Sequence, residues 1–222
     1  RVASFSIDRH SVTMTDGQKV SLEGLVFNEN TVIPVMLFKI PFKAESREFE
    51  AIGMNRNRYG DLYADMTNPE IGSLQQYLIK EGFAVYSGLG PYPNRLRAEL
   101  LVAEKVARLN IRHSWARSLL RAATDIEGVW KEAGFRLIEG KVHSVAHTKS
   151  GIYINFGADR EVDFTAQISL KSKRNFKNMD WNYDGLVNKW VRMRGLVRNY
   201  NGPFMELYFP EQVELLDDER TN

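Results

Sequence analysis

The chain is expected to fold as an α+β protein, mainly β with helices, on three observations. Alternation of apolar and polar residues marks strands over residues 5–40, helical spacing dominates the middle of the chain, and strand texture returns from Phe135 onward. In that last part, five strand-like runs with a short turn-rich or helical segment between the third and fourth follow the pattern of an OB-type barrel. At 222 residues the chain is long enough for one large or two small cores. Its 43% hydrophobic and 26% charged residues are those of an ordinary globular protein, and a net charge of +2 leaves the distribution of charge more informative than its sum.

Val12, Met14, Val20 and Leu22 alternate with polar residues, and Asp16-Gly17 between them is a hairpin turn signal. Thr31 to Ile40 forms a second extended region, and Phe49 to Met54 and Leu62 to Met66 are further strands. The apolar run Thr31 to Phe42 is too short to span a bilayer and is broken by Pro34, Lys39 and Pro41. Ser73 is placed as an N-cap with Gln76 completing a capping box, for a helix that ends at Gly82. A longer helix follows Asn94, with Leu96, Leu100, Ala103 and Ala107 at helical spacing. The spacing of Trp115, Leu119, Ala122, Ile126 and Trp130 predicts a third, from Ser114 to Lys131. The five later strands begin at Gly140, Gly151, Asp163, Lys189 and Gly202.

Cysteine is absent, which excludes disulfides, thiolate metal sites and cysteine nucleophiles. No Gly-rich phosphate loop, nucleophile elbow or His-Glu-x-x-His helix is present. His143 and His147 lie four apart on an expected strand, but no carboxylate or cysteine completes a metal set, so they are read as ordinary histidines. No metal site is expected.

The segment Arg58-Tyr59-Gly60-Asp61-Leu62-Tyr63, with Gly72-Ser73-Leu74 and Gly82-Phe83-Ala84-Val85 after it, resembles the middle of the thermonuclease (staphylococcal nuclease-like) domain. Val20-Ser21-Leu22-Glu23-Gly24-Leu25 is similar to that family's Val-Arg-Leu-x-Gly-Ile strand, and Leu101-x-x-Ala-Glu104-x-x-Ala-Arg108 to its Leu-x-x-Ala-Glu-x-x-Ala-Arg helix. The later pieces Glu139-Gly140-Lys141-Val142, Tyr153-Ile154-Asn155-Phe156-Gly157 and Asn201-Gly202-Pro203-Phe204-Met205-Glu206-Leu207 resemble a small OB-like domain that follows thermonuclease domains in alphaproteobacterial envelope proteins. The resemblance implies a thermonuclease-like domain over residues 1–133, built on an OB-type barrel with helices. A second OB-like β-barrel spans 134–216, and 217–222 form an acidic tail.

Active thermonucleases hold calcium with carboxylates, stabilise the phosphorus centre with two arginines and activate water with a glutamate. Aligned by motif, this chain keeps Asp8 of the calcium loop but has His10 in it. Ser21 replaces the first arginine, Val26 the metal aspartate, and Asp61 the second arginine; Glu29 matches the base. Each lost donor costs about a hundred- to a thousandfold in rate, so the resemblance implies ancestry without chemistry. No catalytic residue and no cofactor are expected, with calcium only under the alternative of an active nuclease using Arg56 or Arg58.

Lys171, Lys173, Arg174, Lys177, Trp190, Arg192, Arg194 and Arg198 form a basic cluster interleaved with aromatics, as in barrels that bind single strands. They are the candidates for nucleic-acid contact, set against a plain solvated strand face or salt bridges to the acidic tail. A further basic set, Arg95, Arg97, Arg108, Arg112, Arg117 and Arg121, reads as solvated helix surface. The expected function is a non-enzymatic interaction or assembly module, a subunit of a larger complex, with a protein partner favoured over a small-molecule substrate. The alternative is a calcium-dependent nuclease or single-stranded nucleic-acid-binding protein. The chain opens on Arg1, and the expectation is a missing upstream segment, through which, or through a partner, it meets a membrane. The resemblance favours the periplasm or cell envelope, with the mitochondrion as alternative.

Overall fold

Alternating apolar positions turn Val12, Met14, Val20 and Leu22 into a core, and turn residues set where the strands reverse. The computed structural model describes residues 2–6, 11–22, 24–27, 49–56, 60–89, 94–110, 119–125, 134–159 and 161–216. The chain divides into two compact units, residues 1–86 with 90–116 and residues 87–89 with 117–222. Among the described residues it is mainly β with two α-helices. The expected strand from Thr31 to Ile40 lies outside the described residues.

The first unit contains β1 (Val2–Ser6), β2 (Ser11–Met14), β3 (Lys19–Ser21), β5 (Glu50–Arg56) and β6 (Leu62–Asn68) in one sheet, in the order β1-β2-β3-β6-β5. All neighbours on this path are antiparallel except β3 and β6, which run parallel with Val20 opposite Leu62 and Ser21 opposite Tyr63. The hairpin between β2 and β3 turns at Asp16-Gly17, where Asp16 Oδ1 accepts the Gln18 amide at 2.9 Å. A short β7 (Gly72–Ser73) pairs with β6, and β4 (Leu25–Phe27) pairs with β8 (Ala84–Tyr86) in a separate two-stranded sheet.

Helix α1 (Leu74–Lys80) begins where Ser73 Oγ accepts the Gln76 amide at 3.2 Å. The expected capping box forms only by half, because the Gln76 side chain instead donates to Glu99 on α2 (Asn94–Leu109) at 2.7 Å. Leu96, Leu100, Ala103 and Ala107 of α2 are all buried, as their spacing predicts. Glu104 is also buried, accepting the Tyr86 amide at 2.8 Å, and so ties the helix to β8. Gln75, fully buried, patches β6: its Oε1 accepts the Met66 amide at 3.1 Å and its Nε2 donates to the Ala64 carbonyl at 2.7 Å.

The second unit holds β9 (Leu120–Ala122), β10 (Gly134–Lys141), β11 (Ser144–His147), β12 (Gly151–Asn155), β13 (Thr165–Ser169), β14 (Trp190–Asn199), β15 (Pro203–Leu207) and β16 (Val213–Leu215). Their order is β11-β12-β13-β15-β14-β10-β9, with β16 also on β14. Again the third and last long strands, β13 and β15, pair in parallel. Strands β10 and β11 are separated only by Val142 and His143, yet β10 borders β14 while β11 borders β12. Between β13 and β14 two 3₁₀ turns, Lys173–Phe176 and Asp184–Leu186, put Phe176 and Leu186 into the core made by Ile138, Ile154, Ile168 and Met193.

The helix expected from Ser114 to Lys131 is corrected over its described part. Residues 119–125 form a turn and the strand β9, which pairs in parallel with β10 from Leu120 opposite Leu137 to Ala122 opposite Glu139. The reason is tertiary: β10 has open backbone groups, and Ala123 donates its amide to the Glu139 carbonyl at 2.7 Å. Gly140 permits the approach, since a Cβ there would lie 2.6 Å from that of Ala123.

Two outcomes follow for the first unit. Replacing Gln75 by Leu strands a buried amide and a buried carbonyl, and urea unfolding is expected to register a loss of about 1–3 kcal/mol. Asp65 receives the Ser73 hydroxyl at 2.5 Å, but burial outweighs that bond and, with Glu99 nearby, raises its carboxyl above 3.8. A raised acid binds its proton more tightly in the folded chain, so stability falls as pH rises above 3.8 through the folded-state value. Asp65→Asn is therefore expected to be more stable than the parent at neutral pH, with the gap closing on acidification to that lower limit in pH-dependent urea melts.

Candidate functional site

In the first unit, the β2–β3 turn and the approach to β6 enclose a shallow concavity of about 540 Å³ lined by Asp16, Lys19, Arg56, Gly60 and Asp61. The parallel register sets Ser21 of β3 opposite Tyr63, two residues beyond Asp61, which immediately precedes β6. Ser21 is 3% exposed and part of the core wall, whereas Asp61 is half-buried at the rim. Arg56 is exposed and donates from Nη1 to the Gly60 carbonyl at 2.6 Å, so one guanidinium stands beside the residue that precedes Asp61. Two carboxylates and two cations line this concavity, which leaves it nearly neutral toward an anion. Val26 sits apart, opposite Val85 in the two-stranded sheet. Asp8, His10, Glu29 and Arg58 lie outside the described residues. Among the described residues no three His, Asp or Glu side chains gather as a metal site.

In the second unit the basic cluster separates into two kinds of residue. Val191 and Met193 face the core of β14, and the intervening Arg192 and Arg194 are 4% and 0% exposed. Arg192 Nε donates to Glu139 Oε1 at 2.7 Å, its Nη2 pairs with the same oxygen, and its Nη1 reaches Glu214 Oε2 at 3.2 Å. Arg194 Nη2 pairs with Glu214 Oε1. The register puts Glu139 and Glu214 directly opposite Arg192 on the two flanking strands. These partners take up the two arginines; the acidic tail lies outside the described residues. Arg194 is further enclosed by Gly88, whose φ of +76° suits glycine and whose added Cβ would lie 2.6 Å from Gln212 Cγ.

The other members stay accessible. Lys171, Lys173, Arg174 and Lys177 are exposed along the first 3₁₀ turn. Arg198 lies over the Phe204 ring at 5.2 Å and 3.7 Å from Glu206. Trp190 is half-buried. Lys171 and Arg174 border a second concavity of about 330 Å³, with Leu89, Asn175, Glu206, Tyr208 and Phe209. Tyr208 donates its hydroxyl to Glu206 at 2.9 Å; burial first, then that bond, raise the phenol above its ordinary value and keep it a neutral donor. Neither Tyr208 nor Phe209 stands out in the sequence as a site residue. The signal was their position immediately after β15, where its parallel pairing with β13 brings two chain exits together.

His147, on β11, meets Asp184 through Nε2 at 2.9 Å and the Tyr183 ring edge-on, while His143 lies between β10 and β11. Arg121, expected on a helix face, lies on β9 and donates to the Leu120 carbonyl at 2.9 Å. No protein-family model matches the chain, and no curated protein is similar to it.

The division of the cluster has a measurable consequence. Arg192→Ala removes the cation that bridges the partly buried Glu139 and Glu214 and is expected to cost about 3 kcal/mol or more in urea unfolding. Lys173→Ala, on an exposed turn, is expected to stay within about 0.5 kcal/mol of the parent.

Proposed function

We propose that the chain is a non-enzymatic interaction or assembly module: a thermonuclease-like unit that has lost its phosphate-gripping site, followed by an OB-like unit, acting as a subunit of a larger complex. The strand paths support the architecture. In each sheet five strands run in the order one-two-three-five-four with the third and fifth parallel, the path of an OB barrel. In the second unit, β10 and β11 act as two halves of a first strand lying between the fourth and the second. One observation carries the functional reading. Ser21, opposite Tyr63 on the parallel β3–β6 pair, and Asp61, just before β6, stand where the resemblance calls for two arginines, and the concavity at Asp61 presents Asp16 and Asp61 together. Two missing donors, at about a hundred- to a thousandfold each, remove useful phosphodiester hydrolysis from that position.

The second reading is a calcium-dependent nuclease or single-stranded nucleic-acid binder. It draws on Arg56 in the first concavity and on the exposed Lys171, Lys173, Arg174 and Lys177 near aromatic side chains.

The readings part on cleavage and salt. Incubated with single-stranded DNA or RNA and calcium, the protein is expected to release no chelator-sensitive products, and affinity purification from its native source to recover a defined protein partner. Calcium-dependent cleavage that Arg56→Ala abolishes overturns the proposal. So does tight oligonucleotide binding that weakens steeply with salt, unaccompanied by a partner.

A further inference from the structure

We propose that the 330 Å³ concavity at the carboxyl ends of β13 and β15 is a docking pocket for a peptide that inserts an apolar side chain beside a carboxylate. The inference rests on the reading of the chain as an interaction module and names the chemistry of the partner. Parallel pairing from Thr165 opposite Phe204 to Ile168 opposite Leu207 makes the two strands end side by side. One exit enters Lys171 and the first 3₁₀ turn, the other Tyr208-Phe209 and the turn Pro210–Gln212. The two exits are fastened: Asn175 Nδ2 donates to the Tyr208 carbonyl at 2.8 Å, and Gln212 Oε1 accepts the Tyr208 and Phe209 amides at 2.7 and 3.1 Å. A pocket fixed in this way loses little entropy when a ligand enters.

Its lining selects the ligand. Leu89, Phe209 and the Tyr208 ring supply apolar surface, while Lys171 and Arg174 are exposed cations with no ion pair among the described residues. Glu206 lines the same pocket, an acceptor suited to a peptide N–H and repulsive to a phosphodiester. A peptide offers an apolar side chain, a carboxylate and N–H donors within a few ångströms, matching both signs of charge. A nucleic-acid strand matches the cations and can stack on the aromatic rings, but its phosphates meet the Glu206 carboxylate. The volume sits at the low end of ligand sites, about 300–1,000 Å³, and suits one side chain rather than a large cofactor.

The test titrates the isotope-labelled full chain with N-acetyl-Leu-Phe-Glu and follows backbone amide resonances. Shifts centred on Ser172, Asn175 and Tyr208 are expected. The exposed double variant Lys171→Glu/Arg174→Glu is expected to bind about tenfold more weakly, and to recover affinity for N-acetyl-Leu-Phe-Lys. The pocket assignment is overturned if no resonance moves up to about 1 mM peptide, if the variant binds within twofold of the parent, or if oligothymidylate moves the same amides at lower concentration. Affinity purification separates this claim from the broader one. A partner retained equally by parent and variant sinks the pocket and spares the module, whereas calcium-dependent cleavage without a partner sinks the module itself.

Discussion

Strand β14 carries opposite chemistry on its two faces, and Arg192 is where they meet. Val191, Met193 and Val197 pack into the apolar core, while Arg192 lies 4% exposed between Glu139 and Glu214 on the strands either side. A guanidinium so far from water is tolerable only with its charge matched and its donors directed, and three strands must hold register together for that to happen. A slip of one residue along β14 would drive the arginines into the core and the core residues outward. The ion network therefore specifies the alignment of β10, β14 and β16 as well as joining them. Strand β15 and the pocket beyond it depend on the same alignment, because β15 pairs with β14 along its other edge.

The first unit uses neutral amides for a comparable purpose. Gln75 restores hydrogen bonding to β6, and Glu104 holds β8 against α2 through one backbone amide. Polar residues of this unit are thus spent on joining elements. Around Asp61, by contrast, the described residues place charge of both signs, Asp16 and Asp61 with Lys19 and Arg56, at the rim of an open concavity.

Much of the strand pattern was legible beforehand. Alternation located β2 and β3, strand-like runs located β6, β12 and β14, and the Asp16-Gly17 turn fell where expected, since these depend on neighbours one to four residues away. Helix α2 was equally plain from Leu96, Leu100, Ala103 and Ala107. The segment around Leu120 failed the same test: its helical spacing lost to an open edge of β10 and to the missing side chain at Gly140. Gln76 likewise satisfied the local capping pattern, yet its side chain turned to Glu99 of another helix. Within the basic cluster, Lys171 and Arg192 were alike as letters. Strand register alone made one an exposed cation and the other a buried partner of two glutamates.

By itself, then, the sequence determined the α+β class, most of the main strands and the two helices that form. These are properties of residue identity and short-range spacing. Tertiary structure alone decided that Glu139 and Glu214, fifty-three and twenty-two residues from Arg192, are its partners, and that Tyr208 and Lys171 share one pocket. Both depend on which strands lie side by side. That pairing reflects the free energy of the whole folded unit, and no local window of residues contains it.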